Sequence, residues 1–356
     1  MSGGVDSSVA ALLLAREGLS VTGFTMDIWC PAGELDGTRA QGCCGAQSAQ
    51  DAAAVCDRLG IPHYVLNFRR AFEQHVIRPF VEAYAAGRTP NPCLDCNRAI
   101  KWGALLRGVR AYGADALATG HYARIAIGGG DLPVLQRASD HSKDQSYALY
   151  MLTVPDLAQT RFPIGDLAKT EVRRLAAEAD LPVAERAESQ EICFIPSDDY
   201  RRLVRERAPE ALRPGPIVDV AGNVLGEHQG LAGYTIGQRK GLGLAGGPWF
   251  VVALDPERNA VVVGPEEEVF ASEITLSDVH LNVMPLSWIG FHADVMTRYR
   301  GPMTRALVMP RPDRAAAVRF EQPHRAPAPG QAAVFYQEDT VVGGGTITEV
   351  ARPVLP

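Results

Sequence analysis

Up to about residue 195 the chain alternates strand-like and helix-like segments. Residues 20–26 (SVTGFTM) read as a strand, 49–60 (AQDAAAVCDRLG) as a helix, 63–68 (HYVLNF) as a strand and 72–87 (FEQHVIRPFVEAYAAG) as a helix. A further helix over 98–113 (RAIKWGALLRGVRAYG) is followed by ADALATGHYA, a strand entering a loop. Short strands separated by helices predict an α/β fold, a parallel sheet with helices on both faces. From about Pro196 to Gly264 the texture changes to a charged helix, DDYRRLVRERAPEAL, and Gly-rich, hairpin-like sequence that includes YTIGQRKGLGL. From about Pro265 short alternating segments such as AAVRF, AAVFY and DTVVGGGTI predict a small antiparallel β-barrel. The expected division is therefore 1–195, a small central α+β domain over 196–264, and a barrel over 265–356.

The bulk numbers narrow the class. A chain of 356 residues with 46% hydrophobic and 21% charged residues suits a globular protein of two or three domains. No apolar run reaches the roughly 18 residues of a membrane span, and no signal peptide opens the chain, so a cytoplasmic location without membrane is expected. Seven cysteines without an export signal argue for reduced thiols rather than a disulfide framework. The formal net charge of −6 gives no global attraction to nucleic acid, so RNA binding would need local basic patches.

The opening stretch, MSGGVDSS, runs straight into the apolar VAALLLA. By itself it reads either as a turn with Ser7 as N-cap, or as a loop whose backbone N–H groups face an anion at a helix N-terminus. It lacks the Lys of the G-x-x-x-x-G-K-[ST] phosphate loop, which points away from γ-phosphate hydrolysis. The stretch resembles the pyrophosphate loop of the ATP pyrophosphatase (PP-loop) superfamily.

Further motifs follow in order: NPCLDCNRAIKW at 91–102, ATGHYAR around His121, KDQSYALYML from Lys143, ESQEICFIP from Glu188, YTIGQRKGLGL from Tyr234, and VFYQEDTVVGGGTI at 334–347. Together they resemble the tRNA-specific 2-thiouridylase family over essentially the whole chain. The resemblance implies an adenine nucleotide alpha-hydrolase-like N-terminal domain. It also implies ATP-dependent replacement, with Mg2+, of the 2-oxo group of a wobble uridine by sulfur. The partners implied are the anticodon stem-loop of tRNA and an upstream protein that donates persulfide sulfur.

Carried over by this resemblance, Met1, Ser2, Gly3, Gly4, Val5, Asp6, Ser7, Met26 and Gly120 bind ATP. Cys96 is the nucleophile, and Cys193 carries a persulfide; read alone, Cys193 is better taken as a small buried hydrophobe between Ile192 and Phe194, and the companion motifs reverse that preference. Asn91, Pro92 and Cys93 touch the target base, while His121, Lys143, Asp144, Gln145, Arg298, Tyr299 and Gln331 bind tRNA. Cys96 precedes a helical stretch with Arg98 and Lys101, a setting that lowers a thiol pKa. RRLVRER at 201–207 reads either as added basic surface or as a solvated helix face.

Three departures from the family pattern stand out. Cys93 replaces the usual Asp, giving a C-x-x-C, so Cys93, Cys96 and Cys193 could instead hold a [4Fe–4S] cluster. Glu191 stands where Gly is common. No strand precedes the loop, and the expectation is a chain that starts at an internal Met, with a gap in the sheet beside the ATP site. Cys56 is expected to pack in a helix, and Cys30, Cys43 and Cys44 are given no catalytic role. The competing readings are another PP-loop tRNA sulfurtransferase, a ligase that adenylates a carboxylate, and a non-catalytic tRNA-binding remnant.

Overall fold

The computed structural model describes residues 1–28, 46–187, 192–195, 199–283 and 289–352. Cys30, Cys43, Cys44 and Glu191 lie outside the described residues. The chain forms two compact units, one of Met1–Ile77 with Pro92–Asp199, the other of Arg78–Asn91 with Tyr200–Pro356.

In the first unit, helix α1 (Val5–Arg16) buries Val5, Val9, Ala10, Ala11, Leu12 and Leu14, nearly its whole circumference. The strands are β1 (Gly23–Asp27), β2 (His63–Asn67), β3 (Leu117–Ala118), β4 (Ala123–Ile127), β5 (Pro133–Arg137) and β6 (Thr160–Arg161). β1 pairs with β2 and β3 with β6, both in parallel, while β4 and β5 form an antiparallel hairpin. The parallel strands thus stand as two separate pairs among the described residues. Met1 runs beside β1, its backbone nitrogen donating to Phe24 O and its carbonyl accepting from Thr25 Oγ1 at 3.0 Å. Helices α2 (Ala46–Leu59) and α3 (Lys169–Glu178) lend Val55, Val172 and Leu175 to the core around Val5, Val9, Tyr122 and Ile164. Cys56 is fully buried in α2, where it packs under Gly23 as expected.

Two helices expected to be regular are not. The first runs as Arg69–Phe72, a wide π-type segment Glu73–Ile77, and Arg78–Ala85. The second runs as Pro92–Asp95, a π-type segment Cys96–Leu105, and Leu106–Ala111. An apolar spacing of three to four residues does not distinguish these widths, and π segments cluster at functional sites.

In the second unit, helix α4 (Tyr200–Arg207) precedes a four-stranded sheet of β7 (Gly215–Asp219), β8 (Val224–His228), β9 (Phe250–Asp255) and β10 (Ala260–Gly264), ordered β8-β7-β10-β9. The hairpin-like YTIGQRKGLGL contains no strand residue. Gly237, Gly241 and Gly243 take φ values of 85°, 79° and 67°, turning the backbone too often for a ladder to form. The remaining strands are β11 (Phe270–Leu281), β12 (Phe291–Met296), β13 (Met303–Arg311), β14 (Ala315–Arg325), β15 (Ala332–Gln337) and β16 (Thr340–Ala351). They close as β11-β14-β13-β12-β15-β16-β11, an antiparallel barrel of the expected kind. Alternate side chains such as Ile274, Phe291, Val295, Val308, Phe320 and Phe335 fill its interior.

His324 is 2% exposed, its ring nitrogens 2.7 Å from Thr297 Oγ1 and 2.8 Å from Thr304 Oγ1, with Phe320 stacked at 4.5 Å. Burial, with Arg298 nearby, lowers its pKa from 6.5 to about 4. Between those values the unfolded chain binds a proton that the folded chain refuses, so stability is full above pH 6.5 and falls as pH drops toward 4, by about 3 kcal/mol. Urea unfolding at pH 7 and 4.5 is expected to show this slope in the parent and a shallower one in His324→Gln; equal slopes would place the acid sensitivity elsewhere.

Candidate active site

The opening loop is held by its own short residues. Ser7 lies in the first turn of α1 and is not its N-cap; Gly4 occupies that position, and no side chain caps the helix. Ser7 Oγ accepts from Ser2 N at 3.2 Å and donates to Gly4 O at 3.1 Å, and Ser8 Oγ also reaches Gly4 O at 2.9 Å. The hydroxyls therefore brace the loop from behind instead of meeting the first-turn N–H groups, which suits a ligand with anionic oxygens.

Two glycines make the loop's shape possible. Gly3 has φ +69°, and a Cβ there would come 2.5 Å from Ser48 O. Gly120, at the loop after β3, lies flat on the first turn of α1: a Cβ would come 2.5 Å from Ser7 N and 2.6 Å from Asp6 C. Met26, expected near the nucleotide, sits inside β1 opposite Leu66 and is partly buried.

Cations absent from the loop sequence come from distant positions. Lys169 Nζ, at the start of α3, is 2.6 Å from Asp6 Oδ1, and Tyr122 Oη donates to the same oxygen at 2.8 Å. Arg186 donates to Gly3 O at 2.7 Å and pairs with Asp51 of α2. Sequence reasoning missed both residues; their partners lie 163 and 183 positions away, and nothing local marks them.

The cysteine segment differs from its expected setting. The helix begins at Pro92, so Cys96 already stands one turn inside it, where the helix-end field has faded. Arg98 turns to Asp95 at 2.8 Å, while burial raises the Asp95 carboxyl above its ordinary range despite that partner. Lys101 Nζ is 3.1 Å from His121 Nε2, and His121 Nδ1 is 2.8 Å from Thr119 Oγ1. An ammonium only donates, so Nε2 accepts and Nδ1–H donates to Thr119. Burial and the Lys101 charge hold His121 well below its usual pKa, and thus neutral.

Cys96 is buried, Cys93 is exposed and Cys193 is intermediate. Among the described residues, no three His, Cys, Asp or Glu side chains are grouped to hold a metal ion. Cys93 and Cys96 thus differ in exposure, and the described residues offer no ready three-ligand group for a cluster.

Several expected tRNA contacts face inward. Asp144 is 7% exposed, and its carboxylate accepts from Ala138 N, Ser146 N, Ser146 Oγ and Arg137 Nε at 2.9–3.3 Å. These four donors occupy its side chain. Gln145 Oε1 accepts from Tyr122 N at 2.9 Å. Gln331 donates to Thr89 O at 2.9 Å and Pro90 O at 3.3 Å, bracing the segment just ahead of Asn91. Tyr299, in contrast, is 36% exposed with Arg300 over its ring, and Lys143 and Arg298 are partly exposed.

Three family models match in order: the tRNA methyl transferase HUP domain over residues 1–197, the tRNA methyl transferase PRC-barrel domain over 201–265, and the aminomethyltransferase beta-barrel domain over 271–347. The tRNA-specific 2-thiouridylase MnmA of Chloroflexus aggregans is 50% identical, covering 99% of this chain and 97% of its own length. That of Moorella thermoacetica is 50% identical with 99% of each chain covered, and that of Carboxydothermus hydrogenoformans 48% identical with 98% and 96% covered. A solved NMN synthetase from Francisella tularensis aligns with 53% of this chain and 64% of its own at 22% identity and a TM-score of 0.30, too slight a likeness to bear on the fold. A loop, a facing glycine and a cysteine helix assembled in this order, within a sequence matched from end to end, identify the chain as a member of the tRNA-specific 2-thiouridylase (MnmA) family.

Proposed function

We propose that this chain uses Mg–ATP to activate the 2-oxygen of a tRNA uridine and then replaces that oxygen with sulfur. One observation carries the reading: Gly120 lies on the first turn of the nucleotide loop, and the next residue, His121, holds Lys101 of the Cys96 helix. Two adjacent residues thus join the loop that suits phosphate to the helix that bears the thiol.

The uridine 2-oxygen attacks the α-phosphorus, and pyrophosphate leaves. Backbone N–H groups of the loop and the Lys169 charge would receive the phosphate oxygens, because oriented donors cost little reorganisation. The terminal sulfur of a Cys193 persulfide then attacks carbon 2, and AMP leaves with the former base oxygen. The Cys96 thiolate attacks the Cys193 sulfur, releasing 2-thiouridine and leaving a Cys96–Cys193 disulfide that an external thiol reduces. Persulfide relay is preferred to a cluster because the described cysteines are not grouped as ligands.

On this reading Asn91, Pro92 and Cys93 meet the base at the start of the cysteine helix. Lys143, Arg298 and Tyr299 supply tRNA contacts from the surface, while Asp144, Gln145 and Gln331 act through the backbone segments they hold. The functional division is 1–195 for nucleotide and cysteine chemistry, 196–264 for linking and tRNA binding, and 265–356 for the barrel. The cytoplasm, where tRNA and reduced thiols meet, is the proposed location; no described helix is long and apolar enough to cross a membrane.

Nucleoside mass spectrometry of tRNA incubated with protein, ATP and a persulfide donor is expected to show 2-thiouridine. Cys96→Ser and Cys193→Ser should each bring it to background, yet keep tRNA-dependent pyrophosphate release within roughly tenfold of the parent. A parent that makes no 2-thiouridine would favour the ligase or non-catalytic readings, and a Cys96→Ser protein that thiolates normally would remove Cys96 from the sulfur transfer.

Arg298→Ala is expected to weaken cognate and non-cognate tRNA binding alike and to reduce the salt slope of binding by about 1. A loss confined to one tRNA, measured by filter binding across a salt series, would instead mean base readout.

A further inference from the structure

The cysteine helix carries two cations, and the fold treats them differently. Arg98 is neutralised by Asp95 at 2.8 Å, at an exposed position. Lys101 is partly buried, and among the described residues it pairs with no carboxylate. Among the described residues its hydrogen-bond partner is a neutral imidazole, which takes a single N–H of the three that an ammonium carries. The ammonium therefore keeps N–H groups that His121 does not take, and these are suited to an anionic oxygen.

Geometry says which anion. His121 follows Gly120, which rests on Asp6 and Ser7 of the nucleotide loop. Lys101 lies five residues after Cys96 within the π-type segment, where about 4.4 residues make a turn, so the two lie about one turn apart. The Asp6–Lys169 pair lies at the α1 and α3 helix starts, and Lys101 comes from a different element.

We propose that Lys101 is a catalytic residue of the adenylation step, a cation that binds the phosphoryl group transferred from ATP to the base oxygen. His121 is its positioning residue, with Thr119 fixing the tautomer. When the base oxygen attacks the α-phosphorus and pyrophosphate departs, negative charge gathers on the non-bridging oxygens of the phosphoryl group that stays. Lys101 has two N–H groups to offer there, and its charge persists through the departure of AMP. This rests on the ATP-activation reading above and adds to it the residue that contacts the transferred group.

The test compares the parent, Lys101→Gln, Lys101→Met, His121→Asn and His121→Leu in tRNA-dependent pyrophosphate release, with ATP and tRNA affinities measured separately. Gln keeps a donor for His121 without the charge, so Lys101→Gln is expected to melt like the parent and to lose about 10² to 10³ in kcat, with both affinities within about threefold. Lys101→Met should lose at least as much. His121→Asn, whose amide can accept from Lys101 and donate to Thr119, should retain more rate than His121→Leu. Parental kcat in Lys101→Gln overturns the proposal, as does a loss of tRNA affinity with kcat unchanged, which would make Lys101 a tRNA phosphate contact. A parent that releases no pyrophosphate with tRNA would refute the ATP-activation reading itself, a separate outcome.

Discussion

The carboxylate of Asp6 is the point on which the first unit's site depends. It sits in the first turn of α1 and accepts from Lys169 at 2.6 Å and Tyr122 at 2.8 Å, gathering a distant helix start and the β3 loop around the opening glycines. Tyr122 is in turn fixed through its backbone by Gln145, at 2.8 and 2.9 Å. Beside Gln145, Asp144 binds Ser146, and the turn they form offers Ala148 O to Asn97, the residue after Cys96, at 2.7 Å. A continuous hydrogen-bonded path therefore runs from the nucleotide loop to the cysteine helix. Such partly buried polar chains contribute little net stability, but they fix one geometry, because every broken link leaves a donor or charge unsatisfied.

This path explains how motifs that resemble tRNA contacts can face inward. Lys143, Asp144 and Gln145 are contiguous in sequence, yet the last two spend their side chains on the protein. Gln331 does likewise at the far end of the chain, where its amide donates to Thr89 and Pro90. Gly330, with φ +93°, brings that backbone close to Arg88 and Thr89. The barrel thereby grips the stretch that leads into Asn91, a task that a residue expected at an RNA surface performs through the backbone.

Much of the architecture was legible before the structure. Hydrophobic periodicity marks β1, α2 and the barrel strands, because each buries one face and the period shows it, whereas β2 is marked by its β-prone residues although Tyr64 and Val65 stay exposed. The motifs located the loop and the cysteine helix. The misses have physical causes. Ser7 reads as an N-cap because Ser is a good one, but Gly4 takes that place and Ser7 turns its hydroxyl back to the Gly4 carbonyl. The π-type widening after Cys96 leaves no mark in an apolar pattern. YTIGQRKGLGL has a hairpin's composition, but its positive-φ glycines are spaced so that no two runs can pair. Lys169 and Arg186 gain meaning only from partners more than 130 residues away, which no local window contains.

In the proposed reaction the base oxygen leaves as part of AMP, and an isotope can follow that atom. tRNA carrying 18O at the 2-position of the wobble uridine would be thiolated in ordinary water with ATP and a persulfide donor, and the AMP analysed by mass spectrometry. One 18O atom in each AMP formed, matched to the 2-thiouridine produced, is the predicted result. AMP without the label, alongside normal thiolation, would show that the base oxygen was never joined to phosphorus and would contradict the mechanism.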